Sequence, residues 1–153
     1  MNCNTFIIHG IYGSPEENWF PWLKKELESL GYKVFIPKFP NPANPGLNKW
    51  LEFFDRYKVH LNENSIVIGH SLGVAFLLGI LEKYSVRAAF FVASVTPGIR
   101  NEFSWQMKSF IDKKTDWNKI KNNCRNFFIY NSDNDPYIPL SKGMELAKNL
   151  DSK

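Results

Sequence analysis

The chain has 153 residues, of which 44% are hydrophobic and 16% aromatic, so it is long and apolar enough to bury a core and is not a disordered chain. Its formal net charge is +4, and the lysines and arginines are spread along the sequence, which argues against nucleic-acid binding. No stretch reaches the roughly 18 apolar residues that a membrane span needs, and the N-terminus lacks the pattern of a signal peptide. We therefore expect one cytoplasmic domain over residues 1–153, with neither a nucleic acid nor a membrane as its partner.

Apolar runs that suit buried strands alternate with segments of helical periodicity along the chain. The predicted strands cover residues 5–8, 34–36, 65–68, 88–94 and 126–130, and the predicted helices cover residues 23–30, 47–57, 72–81, 103–111 and 141–150. Such alternation predicts a three-layer α/β/α fold with a parallel sheet. Short right-handed connections favour the strand order 2-1-3-4-5. In this order the chain reverses direction between strands 1 and 3, and we expect a ligand site at their carboxyl ends.

A helix-start signal precedes the first predicted helix. Ser14-Pro15-Glu16-Glu17 has the spacing of a helix capping box, with proline at the first helical position. Pro21 then permits at most a short turn before the main helix, because proline is tolerated only in a first turn.

The sequence Gly69-His70-Ser71-Leu72-Gly73 lies between the third strand and an uncharged helical segment. Strand, tight turn and helix form the context of a nucleophile elbow, in which the serine hydroxyl projects above the sheet. The two glycines allow strand and helix to cross closely. The N–H of Leu72 opens the helix and is a candidate oxyanion donor. We therefore expect Ser71 to act as a nucleophile.

The loop after the first strand lies beside this elbow in the predicted sheet. An oxyanion hole needs a second N–H, and Ile11 is the expected donor, with Tyr12 as the fallback. His9 is a possible pocket residue, and we expect it to support the loop by hydrogen bonds rather than to act as a base. Apolar side chains of Tyr12, Trp19 and the loop after strand 4 are expected to line the pocket.

The acid of a serine triad should follow a later strand, in a loop at its carboxyl end. Asp133 and Asp135 both lie directly after strand 5, and either could instead only stabilise the turn. A serine also needs a histidine base. We expect His70, which precedes the serine, to point away from the pocket.

Four segments of the chain resemble the small serine hydrolases of the retinoblastoma-binding protein 9 and YdeN type. They are residues 9–13, 18–23, 69–73 and 132–139. The resemblance implies a minimal α/β-hydrolase with almost no cap, in which Ser71 is the nucleophile and Asp135 the acid. It implies carboxylesterase-like hydrolysis of small esters or amides, no metal and no organic cofactor. A protein partner remains possible but no surface identifies it.

The chain departs from this family in one respect. The family's histidine follows the acid after a further strand, whereas this sequence has no histidine after His70. We therefore expect the last strand and helix of the fold to lie beyond Lys153, so that residues 1–153 are a C-terminally truncated domain. Two other interpretations stay open, a non-catalytic or protein-binding relative that retains the fold and an acyltransferase that uses the same serine.

The fifth strand and the cysteines complete the predictions. Residues 127–130 are all apolar, which predicts a strand buried on both faces. Without a sixth strand its outer edge would leave peptide groups unpaired, and two copies of residues 1–153 should associate there.

Cys3 and Cys124 precede strands that lie three positions apart in the predicted sheet. This distance is too long for a disulfide, so both are expected to be free thiols.

Overall fold

A computed structural model of the chain describes residues 3–152. Five parallel strands form one sheet in the order β2-β1-β3-β4-β5, which confirms the predicted fold class and strand order. The strands are β1 Asn4–Ile8, β2 Lys33–Phe35, β3 Ile66–His70, β4 Ala88–Val92 and β5 Phe127–Tyr130. The helices are α1 Phe20–Ser29, α2 Leu47–Phe54, α3 Leu72–Leu81, α4 Ser104–Ile111, α5 Trp117–Asn123 and α6 Leu140–Asn149, with a 3-10 helix at Asp55–His60 after α2.

Before α1 the segment at Ser14 forms only a turn, which is all that Pro21 permits. The Ser14 hydroxyl accepts the Glu16 N–H at 3.3 Å, and α1 begins at Phe20 with proline in its first turn. Helix α5 was not predicted. It is short and buries only Ile120, and its start is capped by Asp116, which accepts the Lys119 N–H at 3.1 Å.

The two faces of the sheet are covered unequally. Side chains of α2 to α6 join one hydrophobic core with Phe6, Val67, Phe91 and their neighbours on one face, which we call the five-helix face. On the other face, Ile7, Val34 and Ile68 pack against α1. We call it the one-helix face. A helix is about 10 Å wide, whereas five strands span about 19 Å, so α1 covers only part of this face.

Strand β5 is therefore not buried on both faces. Phe127, on the five-helix face, is 8% exposed, whereas Phe128 and Tyr130, on the one-helix face, are 44% and 55% exposed. The prediction from the apolar run was wrong because, among residues 3–152, no helix covers this half of the one-helix face. Phe128 stacks instead on Phe90 of β4, with ring centroids 4.6 Å apart.

Cys3 and Cys124 are both buried and free, as predicted. Burial raises the pKa of the Cys3 thiol and raises the pKa of the Cys124 thiol to about 11. Both groups are therefore protonated at neutral pH, and neither is a reactive thiolate. No helix within residues 3–152 is long and apolar enough to cross a membrane.

Candidate active site

Ser71 connects the end of β3 to the start of α3 with an unusual backbone conformation. Its φ of 54° and ψ of −120° lie outside the regions that a residue with a Cβ ordinarily adopts. The Ser71 N–H donates to Val92 O at 2.9 Å, and the Ser71 carbonyl accepts the Val74 N–H at 3.0 Å. These bonds hold the strained turn, so the side chain projects at the carboxyl edge of the sheet.

Three glycines make this turn possible. A Cβ on Gly73 would lie 2.2 Å from Ile8 O, and a Cβ on Gly69 would lie 2.9 Å from Val74 N. A Cβ on Gly10 would lie 2.8 Å from the Cβ of Ser71. Real Cβ atoms essentially never approach other atoms so closely, so strand, elbow and the loop after β1 come together only because these side chains are missing.

The N–H groups of the two predicted oxyanion donors have no hydrogen-bond partner within residues 3–152. Leu72 is the first residue of α3, so its N–H has no acceptor within the helix. Ile11 lines the same cavity as Ser71, and no hydrogen bond within residues 3–152 engages its N–H. Tyr12, the fallback, donates its N–H to Pro42 O at 2.7 Å and is not available. Ile11 and Leu72 therefore remain the predicted pair of donors.

The loop between β5 and α6 brings one of the two candidate acids to the site. Asp135 lines the cavity that contains Ser71, whereas Asp133 is exposed and does not line it. Asp135 Oδ1 accepts the N–H groups of Tyr137 and Ile138 at 2.8 and 3.0 Å. These bonds fix the carboxylate in place, and they leave Oδ2 to orient a base.

His9 lies next to the site but does not line the cavity, contrary to the prediction that it is a pocket residue. Its side chain is fully buried, Nδ1–H donates to Gly10 O at 2.9 Å, and Nε2 accepts the Phe39 N–H at 3.2 Å. Burial lowers the pKa of His9, which keeps the ring neutral. Both ring nitrogens are thus engaged in holding the loops after β1 and β2.

We expected the His70 side chain to point away from the pocket. The residue contributes to the lining of the cavity, and its ring packs towards α1. Its ring centroid is 5.8 Å from that of Phe20 and 6.1 Å from that of Trp19, on the one-helix face. Burial lowers the pKa of His70, so the ring is neutral at pH 7. Its Nδ1 is buried and has no hydrogen-bond partner within residues 3–152.

The cavity beside Ser71 has a volume of about 220 Å³. Tyr12 lines it as predicted, and the loop after β4 contributes Ala93, Val95 and Asn101. Trp19 does not line it. That side chain precedes α1 and lies in a separate open groove of about 490 Å³ on the one-helix face. The predicted tryptophan contact was wrong because Trp19 and α1 pack on the one-helix face rather than over the carboxyl edge of the sheet.

A comparison with known protein families decides the classification. The sequence model of the serine hydrolases matches residues 5–153. The chain belongs to the serine hydrolase family. This serine hydrolase is 30% identical over 154 residues to YdeN of Bacillus subtilis (strain 168), which is named as a hydrolase, and the alignment covers 99% of the chain and 81% of YdeN. It is 29% identical over 136 residues to the serine hydrolase RBBP9 of Rattus norvegicus, covering 88% of the chain and 72% of RBBP9.

Solved structures agree with this classification. The crystal structure of the B. subtilis ydeN gene product superposes on the serine hydrolase with a TM-score of 0.90, at 30% identity, and covers 99% of the chain and 82% of that structure. A hydrolase of the α/β superfamily from Xanthomonas campestris gives a TM-score of 0.68 at 16% identity, over 99% of the chain and 84% of that structure, which shows the fold alone. The predicted family and the α/β-hydrolase fold are confirmed.

Four cavity residues of this serine hydrolase were missed from the sequence, Phe103, Met107, Tyr137 and Ile138. Phe103 and Met107 belong to the first turn of α4 or precede it, and Tyr137 follows the predicted acid. The only signal was their apolar character near the carboxyl edge of β4 and β5. Among residues 3–152, no group of three or more His, Cys, Asp or Glu side chains lies close enough together to hold a metal ion.

Proposed function

We propose that this serine hydrolase cleaves small carboxylic esters or amides through an acyl-enzyme at Ser71. The backbone of Ser71 carries the proposal, because a serine is held at a φ of 54° at the head of a helix and opens onto a cavity that also contains Asp135 and Ile11. A strained conformation of this kind costs about 1–3 kcal/mol and is typical of functional sites. The hydrolase relatives YdeN and RBBP9 support the same reaction class.

The reaction would use two half-reactions. Ser71 Oγ attacks the carbonyl carbon while its proton passes to a base, and the N–H groups of Ile11 and Leu72 stabilise the oxyanion. The bond to the leaving group then breaks, and the base returns the proton to the departing oxygen or nitrogen. Water attacks the acyl-enzyme in the same manner, which releases the carboxylic acid and restores the Ser71 hydroxyl.

None of the three histidines of the chain is placed to act as the catalytic base. Both ring nitrogens of His9 are engaged, and His70 packs on Trp19 and Phe20 with no hydrogen bond to Ser71 or Asp135. His60 stacks on Phe35, and its carbonyl accepts from Asn4 Nδ2 at the start of β1, the end of the sheet opposite to Ser71. We therefore assign the proton acceptor to an imidazole from outside residues 3–152, oriented by Asp135. Removal of the histidine from a comparable triad costs about a million-fold in turnover.

Labelling with a fluorophosphonate, which reacts with activated serines, tests this proposal. Residues 1–153 should label slowly, and free imidazole in the buffer should accelerate the labelling, because the cavity leaves room beside Ser71 for a small base. Ser71→Ala should abolish labelling, and Asp135→Asn should reduce the effect of imidazole. Fast labelling without imidazole that His70→Gln abolishes would show that His70 is the base, contrary to our assignment.

The missing base also favours a second candidate, a non-catalytic relative that retains the fold and binds a partner. The same experiment separates the two. If neither added imidazole nor a high probe concentration produces Ser71-dependent labelling, the hydrolase mechanism is wrong and the binding function is favoured.

A further inference from the structure

The cavity beside Ser71 has an apolar floor and aromatic walls. Val95, Met107 and Ile138 form the floor, and each is nearly fully buried. The walls include the rings of Tyr12, Phe103 and Tyr137, which come from the loop after β1, the residue before α4 and the loop after β5. A group that is bonded to Ser71 would therefore meet rings from three separate segments.

These rings are held in fixed relative positions. Phe103 lies between the other two, with its centroid 6.1 Å from that of Tyr12 at 70° and 5.2 Å from that of Tyr137 at 67°. Asn101 connects two of the segments, because its Oδ1 accepts the Phe103 N–H at 3.0 Å and its Nδ2 donates to Tyr137 O at 3.2 Å. A ligand would thus find the walls already ordered, which lowers the entropic cost of binding.

The edge-to-face arrangement favours another ring over a saturated group. Aromatic side chains carry a negative face and a positive edge, so a further ring placed against Phe103, Tyr12 and Tyr137 gains more than its buried area alone provides. A cyclohexyl group of nearly the same size would bury similar area without this contribution. The walls therefore discriminate by electronic character as well as by size.

Charge excludes an acidic substituent from the same space. Within residues 3–152, no lysine or arginine lines the cavity, and the Asn101 side chain is already engaged at both ends. A carboxylate or phosphate placed there would lose its water without gaining a cation, which is costly. The charged group on the wall is Asp135, at the end where the reaction is proposed to occur.

The volume sets the size of the group. An apolar cavity of about 150 Å³ binds benzene, so about 220 Å³ holds one six-membered ring with a link of one or two carbons. Of the two parts of an ester, the acyl group stays bonded to Ser71 Oγ, directly beside this cavity. The cavity is therefore placed to receive the acyl side of a substrate.

We propose that the site selects neutral acyl groups that carry a single aromatic ring, such as phenylacetyl, and that the ring binds against Tyr12, Phe103 and Tyr137. This inference rests on the proposed function for the assignment to the acyl side. The choice of a ring over a saturated group of equal size rests on the cavity walls alone.

A matched pair of ligands tests the proposal without any need for turnover. Phenylacetamide and cyclohexylacetamide are titrated into the chain carrying labelled methionine methyl groups, and the dissociation constants are measured by nuclear magnetic resonance. Met107 lines the cavity, whereas Met144 is 66% exposed on α6 and serves as the internal control. We expect the Met107 signal to shift, and phenylacetamide to bind about 2- to 12-fold more tightly, the factor that corresponds to aromatic pairing. Equal or tighter binding of cyclohexylacetamide, or no shift of Met107 with either ligand, overturns the proposal.

Single substitutions test which side chains cause the tighter binding of phenylacetamide. Phe103→Leu and, independently, Tyr137→Leu should bring the ratio of the two dissociation constants towards one. Trp105→Leu should leave it unchanged, because this exposed ring lies two residues after Phe103 but does not line the cavity. A ratio that falls equally in all three variants contradicts the assigned walls.

The result is distinguishable from a failure of the hydrolase mechanism. Ser71→Ala should retain both ligands and their ratio, since binding does not use the hydroxyl. Selective binding without any fluorophosphonate labelling would reject the mechanism and keep the aromatic site, whereas labelling without selectivity would reject the aromatic site alone.

Discussion

Phe90 and Phe91 are neighbours on β4, yet they lie in different environments. Phe91 is fully buried in the core of the five-helix face, whereas Phe90 is only partly buried on the one-helix face, where it stacks on the exposed Phe128. The strand carries apolar side chains on both faces. An apolar run in the sequence therefore shows which side chains of a strand can be buried, whereas the helices packed on each face determine which of them are buried.

The largest expected effect comes from truncating the two neighbours in turn. Phe91→Ala should lower the free energy of unfolding by about 3–5 kcal/mol, because it leaves a cavity in a closed core. Phe90→Ala should cost about 1–2 kcal/mol, since much of that ring already contacts water. Urea denaturation of both variants measures the difference. Equal costs would break the comparison and would mean that the one-helix face is covered in solution.

Acid should lower the free energy of unfolding, because two histidines, one on each side of the sheet, are neutral in the folded chain. Burial lowers the folded-state pKa of His9 and of His70, with Glu17 opposing the shift in both cases. Below the unfolded pKa of about 6.5 the unfolded chain therefore binds more protons, so stability that is complete above this pH is lost as the pH falls. The expected slope is up to about 1.4 kcal/mol per pH unit for each histidine.

Unfolding measured between pH 5.0 and 7.5 would test this slope. His70→Phe keeps an aromatic ring against Trp19 and Phe20, and the pH dependence of its stability should come from His9 alone. A stability that does not change across this range in the unmodified chain would contradict the assignment of two neutral rings.

The smallest effect on stability is expected at the rim of the one-helix face, where the change should be in association. Within residues 3–152, β5 pairs only with β4, so its outer edge is open. We expect two copies to associate along this edge, and Phe128→Lys should weaken the dimer more than ten-fold while changing the free energy of unfolding by less than about 1 kcal/mol. Trp22→Lys, at an exposed position on α1, is the matched control. Sedimentation showing a monomer at high concentration would refute the edge contact.

The sequence was sufficient for the features that depend on local pattern. Strand order followed from alternation and connection length, and the elbow followed from Gly69 and Gly73 around one serine. Helix α5 was missed because it buries only Ile120, which leaves no periodic stripe to detect. The side chain of His70 shares a face with Ile66 and Ile68, four and two residues earlier on β3, as strand alternation requires, and α1 covers this face.

The cavity walls could not be predicted in the same way. Phe103 and Tyr137 come from segments that are separated by α4, α5 and β5, and Asn101 joins them through two hydrogen bonds. Neither the pairing nor the edge-to-face geometry leaves a local signal in the sequence. Trp19 was misplaced for the same reason, since its loop adjoins the elbow in topology but lies on the one-helix face.

The backbone of Ser71 has a consequence for how such a gene would change under relaxed selection. A glycine at this position would adopt the same φ without cost and recover about 1–3 kcal/mol, a large share of the margin by which a small domain is folded. A lineage with no use for the hydroxyl would thus gain from losing it. Gly10, whose added Cβ would meet the Cβ of Ser71, would then be free to change, whereas Gly73 would stay because its added Cβ would meet Ile8 O. Ser71 therefore lowers the stability of the fold. Selection for catalysis would keep it, and random substitution would replace it once the hydroxyl is no longer used.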